Sequence, residues 1–194
     1  MREWHSPASR PRCQFLYPPR IIAIMPSNVI EESRRIPALS EFGVSPALLQ
    51  MAAGQFPHPA LASCSSGPPY YLYHGAEAPD GPQVLPLWDI GDQVIAIRAQ
   101  ASDLEYICFS IEAPDEVEQL ATTEQGFWAT QFDFMYELDM EIETLHAIAQ
   151  TVGYRFLRMQ LDSRVAMEDQ LDSSHRHGQW LSALVASIDA TKTT

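Results

Sequence analysis

The sequence predicts one α+β domain, in which an antiparallel sheet of about four to six strands is flanked by helices. The chain has 194 residues, of which 46% are hydrophobic, and this is enough apolar material for a single core. Short apolar segments separated by turn residues follow one another between residues 70 and 111, which favours antiparallel hairpins over βαβ units. Helical periodicity dominates after residue 122, so the C-terminal region is predicted to be helical.

The first 24 residues differ in composition from the rest of the chain. They contain four arginines and one acid, are interrupted by prolines, and show no apolar period. We expect residues 1–24 to be a disordered or non-native N-terminal extension whose removal leaves the thermal midpoint unchanged. The predicted α+β domain then covers residues 25–160, and residues 161–194 form a helical appendage.

Two helices are predicted before the sheet. Asn28 is placed to cap the first, which runs to Arg35 and is interrupted by Pro37. Ser45 caps the second, because Pro46 fits the first helical position and Gly54 is a typical residue just past a helix end.

The predicted strands follow a proline-rich loop over residues 55–69. Asp89–Asp92 reads as a turn, and the segment after residue 111, which carries Pro114, reads as a link to the next helix. The last strand is apolar on both faces towards its end, so we expect it to be central and covered. The segments predicted as strands are 70–73, 84–88, 93–99 and 104–111.

The C-terminal half of the chain has the strongest helical pattern. Apolar residues recur at steps of three and four from Trp128 to Val152, after a cap at Thr122 or Thr123. This segment is either one long helix or two helices bent near Asp139, and Gly153 ends it. Residues 164–190 form a weaker amphipathic helix.

Charge and cysteine content exclude several classes of function. The net charge is −13, and such a surface repels nucleic-acid phosphates and anionic membranes. No apolar run approaches the roughly 18 residues of a membrane helix. The three cysteines form no CxxC pair, which argues against a disulfide framework or zinc site and favours a reducing, cytoplasmic location.

No motif indicates catalysis, and we predict no catalytic residue, metal ligand or cofactor. The chain has no P-loop, no G-x-G-x-x-G and no G-x-S-x-G. Three weaker combinations are more typical of solvated helices, loops and buried thiols than of metal sites or nucleophiles. These are Glu143 with His146, Asp172 with His175 and His177, and Cys64 with His74.

One acidic tract suggests a binding surface. The 56 residues between Arg98 and Arg155 contain twelve acids and neither Lys nor Arg. An ordinary solvated surface intersperses both signs, so the tract favours contact with a basic protein, although general acidity of the chain also accounts for it. The residues predicted to bind the partner are Asp89, Asp92, Glu105, Glu112, Asp115, Glu116 and Glu118.

The order of elements resembles that of the SUKH superfamily, the SMI1-type cell-wall-assembly-regulator-like domain. The resemblance covers roughly residues 40–155 and is carried by the helix before Gly54, by Leu85-Pro-Leu-Trp-Asp-Ile-Gly-Asp92, by the strands at 94–97 and 105–111, and by the aromatic residues of the following helix.

The resemblance to this superfamily implies a non-catalytic protein. Many bacterial members are immunity proteins that bind and neutralise a cognate toxin, often a nuclease. The expected mechanism is occlusion of the toxin by an acidic surface. The alternatives are an adaptor or regulatory module without a toxin, or a metal-dependent enzyme that uses the histidines and helix acids. The partner's identity and the oligomeric state stay open.

Overall fold

A computed structural model describes residues 28–100, 103–167 and 173–191 of the chain. Within these ranges it contains one four-stranded antiparallel sheet and six α-helices. The predicted α+β class is therefore confirmed, with the strand number at the lower end of the predicted range. The predicted N-terminal extension lies outside the described residues.

Helix α1 spans Glu32–Glu41 and helix α2 spans Pro46–Ala52. The prediction for α2 is confirmed, since the Ser45 side chain accepts a hydrogen bond from the Leu48 N–H at the helix start. The prediction that Pro37 interrupts α1 is wrong, because Pro37 lies inside the helix. The N–H that it lacks would have bonded the carbonyl of Ser33, a residue on the exposed surface.

Asn28 is not a helix cap, in contrast to the prediction. Its Nδ2 donates to the Pro79 carbonyl at 2.7 Å and to the Pro82 carbonyl at 3.3 Å, so it ties the start of the described chain to a distant turn. The aromatic segment predicted as a strand is also different, since Tyr71–Tyr73 forms a short 3₁₀ helix. A second 3₁₀ helix, Pro59–Ser63, lies in the predicted loop.

The sheet is a meander of neighbouring hairpins in the order β1-β2-β3-β4. The strands are β1 (Gln83–Ile90), β2 (Gln93–Gln100), β3 (Asp103–Ser110) and β4 (Ala113–Ala121). The prediction that β3 is central and covered is confirmed, since it pairs with both β2 and β4. The predicted link after residue 111 is wrong, because this segment forms β4 at one edge of the sheet.

The C-terminal helices are α3 (Glu124–Glu137), α4 (Ile142–Val152), α5 (Leu157–Met167) and α6 (Ser174–Ala190). Thr123 caps α3, and the two-helix alternative is correct: the chain turns at Asp139, whose φ of 55° is tolerated by an aspartate. Gly153 ends α4 in the left-handed conformation, as predicted. The described part of the chain contains no helix long and apolar enough to cross a membrane.

The two faces of the sheet are covered by different parts of the chain. The helices cover one face, where Trp88 and Ile97 of the sheet join Phe127 and Trp128 of α3 in the main core. Buried residues of α6, including Trp180, belong to this same core. The segment around Tyr71–Tyr73 covers the other face over a smaller cluster that includes Phe109.

Candidate functional site

Asp89 is buried, so its predicted place on a binding surface is wrong. Its side chain belongs to β1, and Oδ2 accepts hydrogen bonds from the backbone N–H groups of Tyr70 at 2.7 Å and Tyr71 at 3.2 Å. Oδ1 is buried without a hydrogen-bond partner in the described chain. Burial raises the pKa of the Asp89 carboxyl, although the two N–H donors oppose this rise. Asp89 anchors the covering segment to the sheet.

Glu105 is half-buried and already has a cationic partner. Its carboxylate lies 2.7 Å from Nη2 and 2.8 Å from Nε of Arg98, the residue directly opposite on β2. The two guanidinium nitrogens contact the same carboxylate oxygen, Oε2, and charge-assisted bonds of this kind are short and strong. The charge of Glu105 is therefore offset by Arg98.

The other five predicted residues are exposed, two of them in turns at one end of the sheet and three on its edge strand β4. Asp92 and Glu112 occupy adjacent turns at the same end of the sheet, a relation that the sequence left open. The Ser110 hydroxyl donates to Asp92 Oδ2 at 3.0 Å, and the Ile111 N–H donates to the Asp92 carbonyl at 3.0 Å. The remaining three residues lie on β4. We call these five residues the acidic edge: Asp92, Glu112, Asp115, Glu116 and Glu118.

No arginine, lysine or histidine of the described chain forms a salt bridge with the acidic edge. β4 also carries Pro114, and its pairing with β3 is irregular at two places. Charge, proline and bulges are the features by which proteins prevent an exposed strand from pairing with a second copy of itself. The same charges attract a cationic partner over a distance of about 8–10 Å at physiological salt.

A groove of about 440 Å³ separates β4 from α6. Its walls are Glu118–Thr122 on the strand side and Leu181, Ser182, Val185, Ala186 and Asp189 on the helix side, with Thr130 of α3 behind them. We call this the β4–α6 groove. It continues into a second cavity of about 370 Å³ that shares Glu118, Leu120, Thr130 and Leu181 with it and extends towards Cys108 and Glu137.

The two described cysteines are buried and poorly suited to act as nucleophiles. Burial raises the pKa of the Cys108 thiol to about 11, and this thiol donates to Gln93 Oε1 at 2.8 Å. Burial also raises the pKa of Cys64, whose nearest polar partner is the Ser63 hydroxyl at 3.7 Å. Both thiols stay protonated at neutral pH, the form that reacts slowly.

A polar cluster that the sequence did not reveal joins the three helices α3, α5 and α6. The guanidinium of Arg164 contacts the carboxylates of Asp133 and Glu137, and it lies 4.2 Å from the centre of the Tyr136 ring. His177 Nε2 lies 3.0 Å from Asp133 Oδ2. Burial raises the pKa of Asp133, while His177 and Arg164 act against this rise.

Geometry alone would allow Asp133, Glu137 and His177 to hold a metal ion, since their ligand atoms lie within 4.8 Å of one another. The guanidinium of Arg164 already contacts both carboxylates, so the negative charge that a cation would use is satisfied. We interpret the cluster as an ion-pair network that fixes α5 and α6 to α3. One signal in the sequence points to it: Asp133 interrupts the apolar stripe beside Phe132.

The weaker metal-ligand combinations named from the sequence do not assemble. Glu143 and His146 are exposed on α4 and have no third ligand nearby in the described chain. His175 is exposed and bonds Gln179 at 3.0 Å, while His177 belongs to the cluster with Asp133. Asp172 lies outside the described residues.

No family model, curated protein or solved structure matches the chain. The resemblance to the SUKH superfamily therefore stays a prediction.

Proposed function

We propose that the protein is a non-catalytic binding domain that captures a basic protein partner at the acidic edge. The observation that carries this proposal is the group of five exposed carboxylates on β4 and in the turns at one end of the sheet, none of which forms a salt bridge in the described chain. Like charges at this density repel one another and lower stability, and a cationic partner removes that cost. Charge complementarity of this kind mainly raises the association rate and excludes wrong partners.

More specifically, we propose that this binding domain is an immunity protein that works in the cytoplasm. In this role the acidic edge covers the cationic active site of a cognate toxin and blocks access of its substrate. The resemblance to SUKH immunity proteins and the charge of the surface support this role. The buried free thiols of Cys64 and Cys108 suit a reducing compartment.

An adaptor domain would use the same surface for a partner that is not a toxin. The two roles differ in what binding does to the partner. A toxin loses its activity when the acidic edge covers it, whereas an adaptor's partner keeps its own activity. Identification of the partner by affinity capture and mass spectrometry, followed by an assay of its activity with and without this protein, separates them.

The test of the acidic edge is the association rate of the captured partner at several ionic strengths. We expect the double variant Glu116→Lys with Glu118→Lys to slow association by on the order of tenfold, and the difference to shrink as salt screens the charges. The matched control is Glu41→Lys with Asp80→Lys, which reverses two exposed acids away from β4. Equal rates for the two double variants would refute the proposal.

A further inference from the structure

We propose that the partner inserts an extended, cationic segment into the β4–α6 groove, where it adds to the sheet as a strand beside β4. The inference rests on the proposed function, because it specifies how the basic partner is held at the acidic edge. It makes two further claims: the bound segment is extended, and its backbone bonds to β4.

The edge of β4, and not one of its faces, borders the groove. Side chains alternate between the two faces of a strand, so a cavity against one face contacts every second residue. The bulge at Leu120 interrupts this alternation, but Gln119, which pairs with Ile107 on the face away from the helices, also lines the groove, and no residue of β3 does. β4 pairs with β3 on one side, and no other described strand pairs with it. Backbone groups on its other side therefore remain available to an incoming strand, as in strand addition to exposed sheet edges.

The opposite wall is formed by one face of α6. Leu181 and Val185 stand one helical turn apart on this face, with Ala186 beside them. These apolar side chains provide a surface for the side chains of an extended peptide that point to the helix-covered side of the sheet. Leu120, the extra residue of the bulge in β4, adds apolar surface from the strand side.

The two ends of the groove differ in polarity. At one end the Asp189 carboxylate accepts hydrogen bonds from the backbone N–H groups of Thr122 at 2.7 Å and Thr123 at 3.1 Å, so this acid is already satisfied. At the other end Glu118 is exposed and forms no salt bridge in the described chain. A segment that enters from the Glu118 end meets negative charge first and apolar surface next.

Charge decides which occupant suits the groove. A second copy of this chain would bring its own acidic edge against the first, and like charges in direct apposition are unfavourable. Glu118 pairs with Cys108, so its side chain lies on the helix-covered side of the sheet, the same side as α6. On that side, a bound segment that fits has Lys or Arg beside Glu118 and apolar side chains beyond it, against Leu181 and Val185. The occupant that fits is therefore an extended cationic segment of a partner protein.

The experiment uses the full chain and a labelled eight-residue peptide, Arg-Ser-Arg-Ser-Val-Ser-Val-Ser, with binding followed by fluorescence anisotropy. The control peptide has the same sequence with N-methyl groups on alternate residues, prepared in both registers. Methylation removes backbone donors and keeps the charge. We expect binding to weaken by roughly tenfold in one register, because each lost hydrogen bond changes affinity by about two- to tenfold.

Two pairs of variants locate the peptide. Ala186→Trp fills the groove, whereas Ala183→Trp puts the same side chain at an exposed position of α6 that does not line it. Glu118→Gln removes the charge at the open end, and Glu143→Gln removes an exposed charge on α4. We expect Ala186→Trp and Glu118→Gln to weaken binding by at least roughly fivefold and both controls to leave it unchanged.

Four outcomes would overturn the inference. If both methylated peptides bind normally and Ala186→Trp has no effect, while Glu118→Gln still weakens binding, strand addition is wrong and the proposed function stands. If no charge variant changes binding, the proposed function fails as well. A dimer in ultracentrifugation that Ala186→Trp dissociates would make a second copy the occupant. Tighter peptide binding after Arg2, Arg10, Arg12 and Arg20 are changed to Gln would make the chain's own basic segment the occupant.

Discussion

The two edge strands of the sheet have outward backbone groups that lack a neighbouring strand, and the chain protects these groups in a different way at each edge. Along β1, the chain itself bonds the outward backbone groups. The Val84 N–H donates to the Asn28 carbonyl at 2.8 Å, and the Ile30 N–H donates to the Val84 carbonyl at 3.1 Å. Further along, Arg35 Nη1 donates to the Pro86 carbonyl at 3.3 Å. β1 is a closed edge.

The opposite edge has no such cover. Along β4, the contact corresponding to those of β1 comes at the strand's end, where Asp189 accepts from the Thr122 N–H. Over the rest of the strand, protection comes from bulges, Pro114 and exposed carboxylates. A self-bonded edge is therefore unavailable to any partner, whereas an edge protected by charge is unavailable only to partners of the same sign.

The largest expected effect comes from a residue of the main core, to which both edge strands contribute. Trp128 is fully buried in α3, and its Nε1 donates to Glu124 Oε1 at 3.1 Å. We expect Trp128→Ala to lower the free energy of unfolding by about 3–5 kcal/mol, because it leaves a cavity in the main core. Urea denaturation measures this loss, and amide hydrogen exchange should show both β1 and β4 opening more easily. Equal stability of the variant would contradict the assignment of Trp128 to the core.

The next largest effect on stability is expected at β1, where Asp89 anchors the covering segment. Asp89→Ala leaves the N–H groups of Tyr70 and Tyr71 without their shared acceptor, so we expect a loss of about 1–3 kcal/mol in the free energy of unfolding. Asp92→Ala is the matched control on the exposed turn, and its effect should stay within about 0.5 kcal/mol. If the two variants have equal stability, Asp89 does not anchor the covering segment.

The pH dependence of the free energy of unfolding tests the role of Asp89 separately. Burial raises the pKa of Asp89 in the folded protein, so the charged form is disfavoured there. Its contribution to stability is complete below the unfolded value of about 3.9 and is lost as pH rises through the folded pKa. Asp89→Asn keeps an oxygen acceptor without the charge. We expect its stability relative to the wild type to increase from pH 3.5 to pH 7, as measured by urea denaturation, and a constant difference would argue against this.

The smallest effect on stability is expected at the open edge. Glu116→Lys with Glu118→Lys should change the free energy of unfolding by no more than about 0.5 kcal/mol, since both side chains are exposed and form no salt bridge in the described chain. Thermal denaturation of this variant and of Asp89→Ala compares the stability that residues at the two edges contribute. A loss above about 1 kcal/mol would show that these acids support the fold.

Local signals in the sequence predicted the elements whose ends are set by short-range chemistry. The caps at Ser45 and Thr123 and the helix end at Gly153 follow from side chains that bond the nearest backbone groups or from freedom at positive φ. The paired strands β2 and β3 carry apolar residues dense enough to indicate buried strands. The division between α3 and α4 stayed open because an aspartate at positive φ has no distinct local pattern.

Tertiary structure alone decided which acids face the solvent. Asp89 and Asp92 stand in the same short segment, yet one is buried as an acceptor for Tyr70 and Tyr71 and the other is exposed. β4 was missed because a charged edge strand lacks the alternation that marks a half-buried strand. Composition determined that the surface is strongly acidic. The place of each charge depended on contacts between residues far apart in the chain, which patterns over a few residues do not encode.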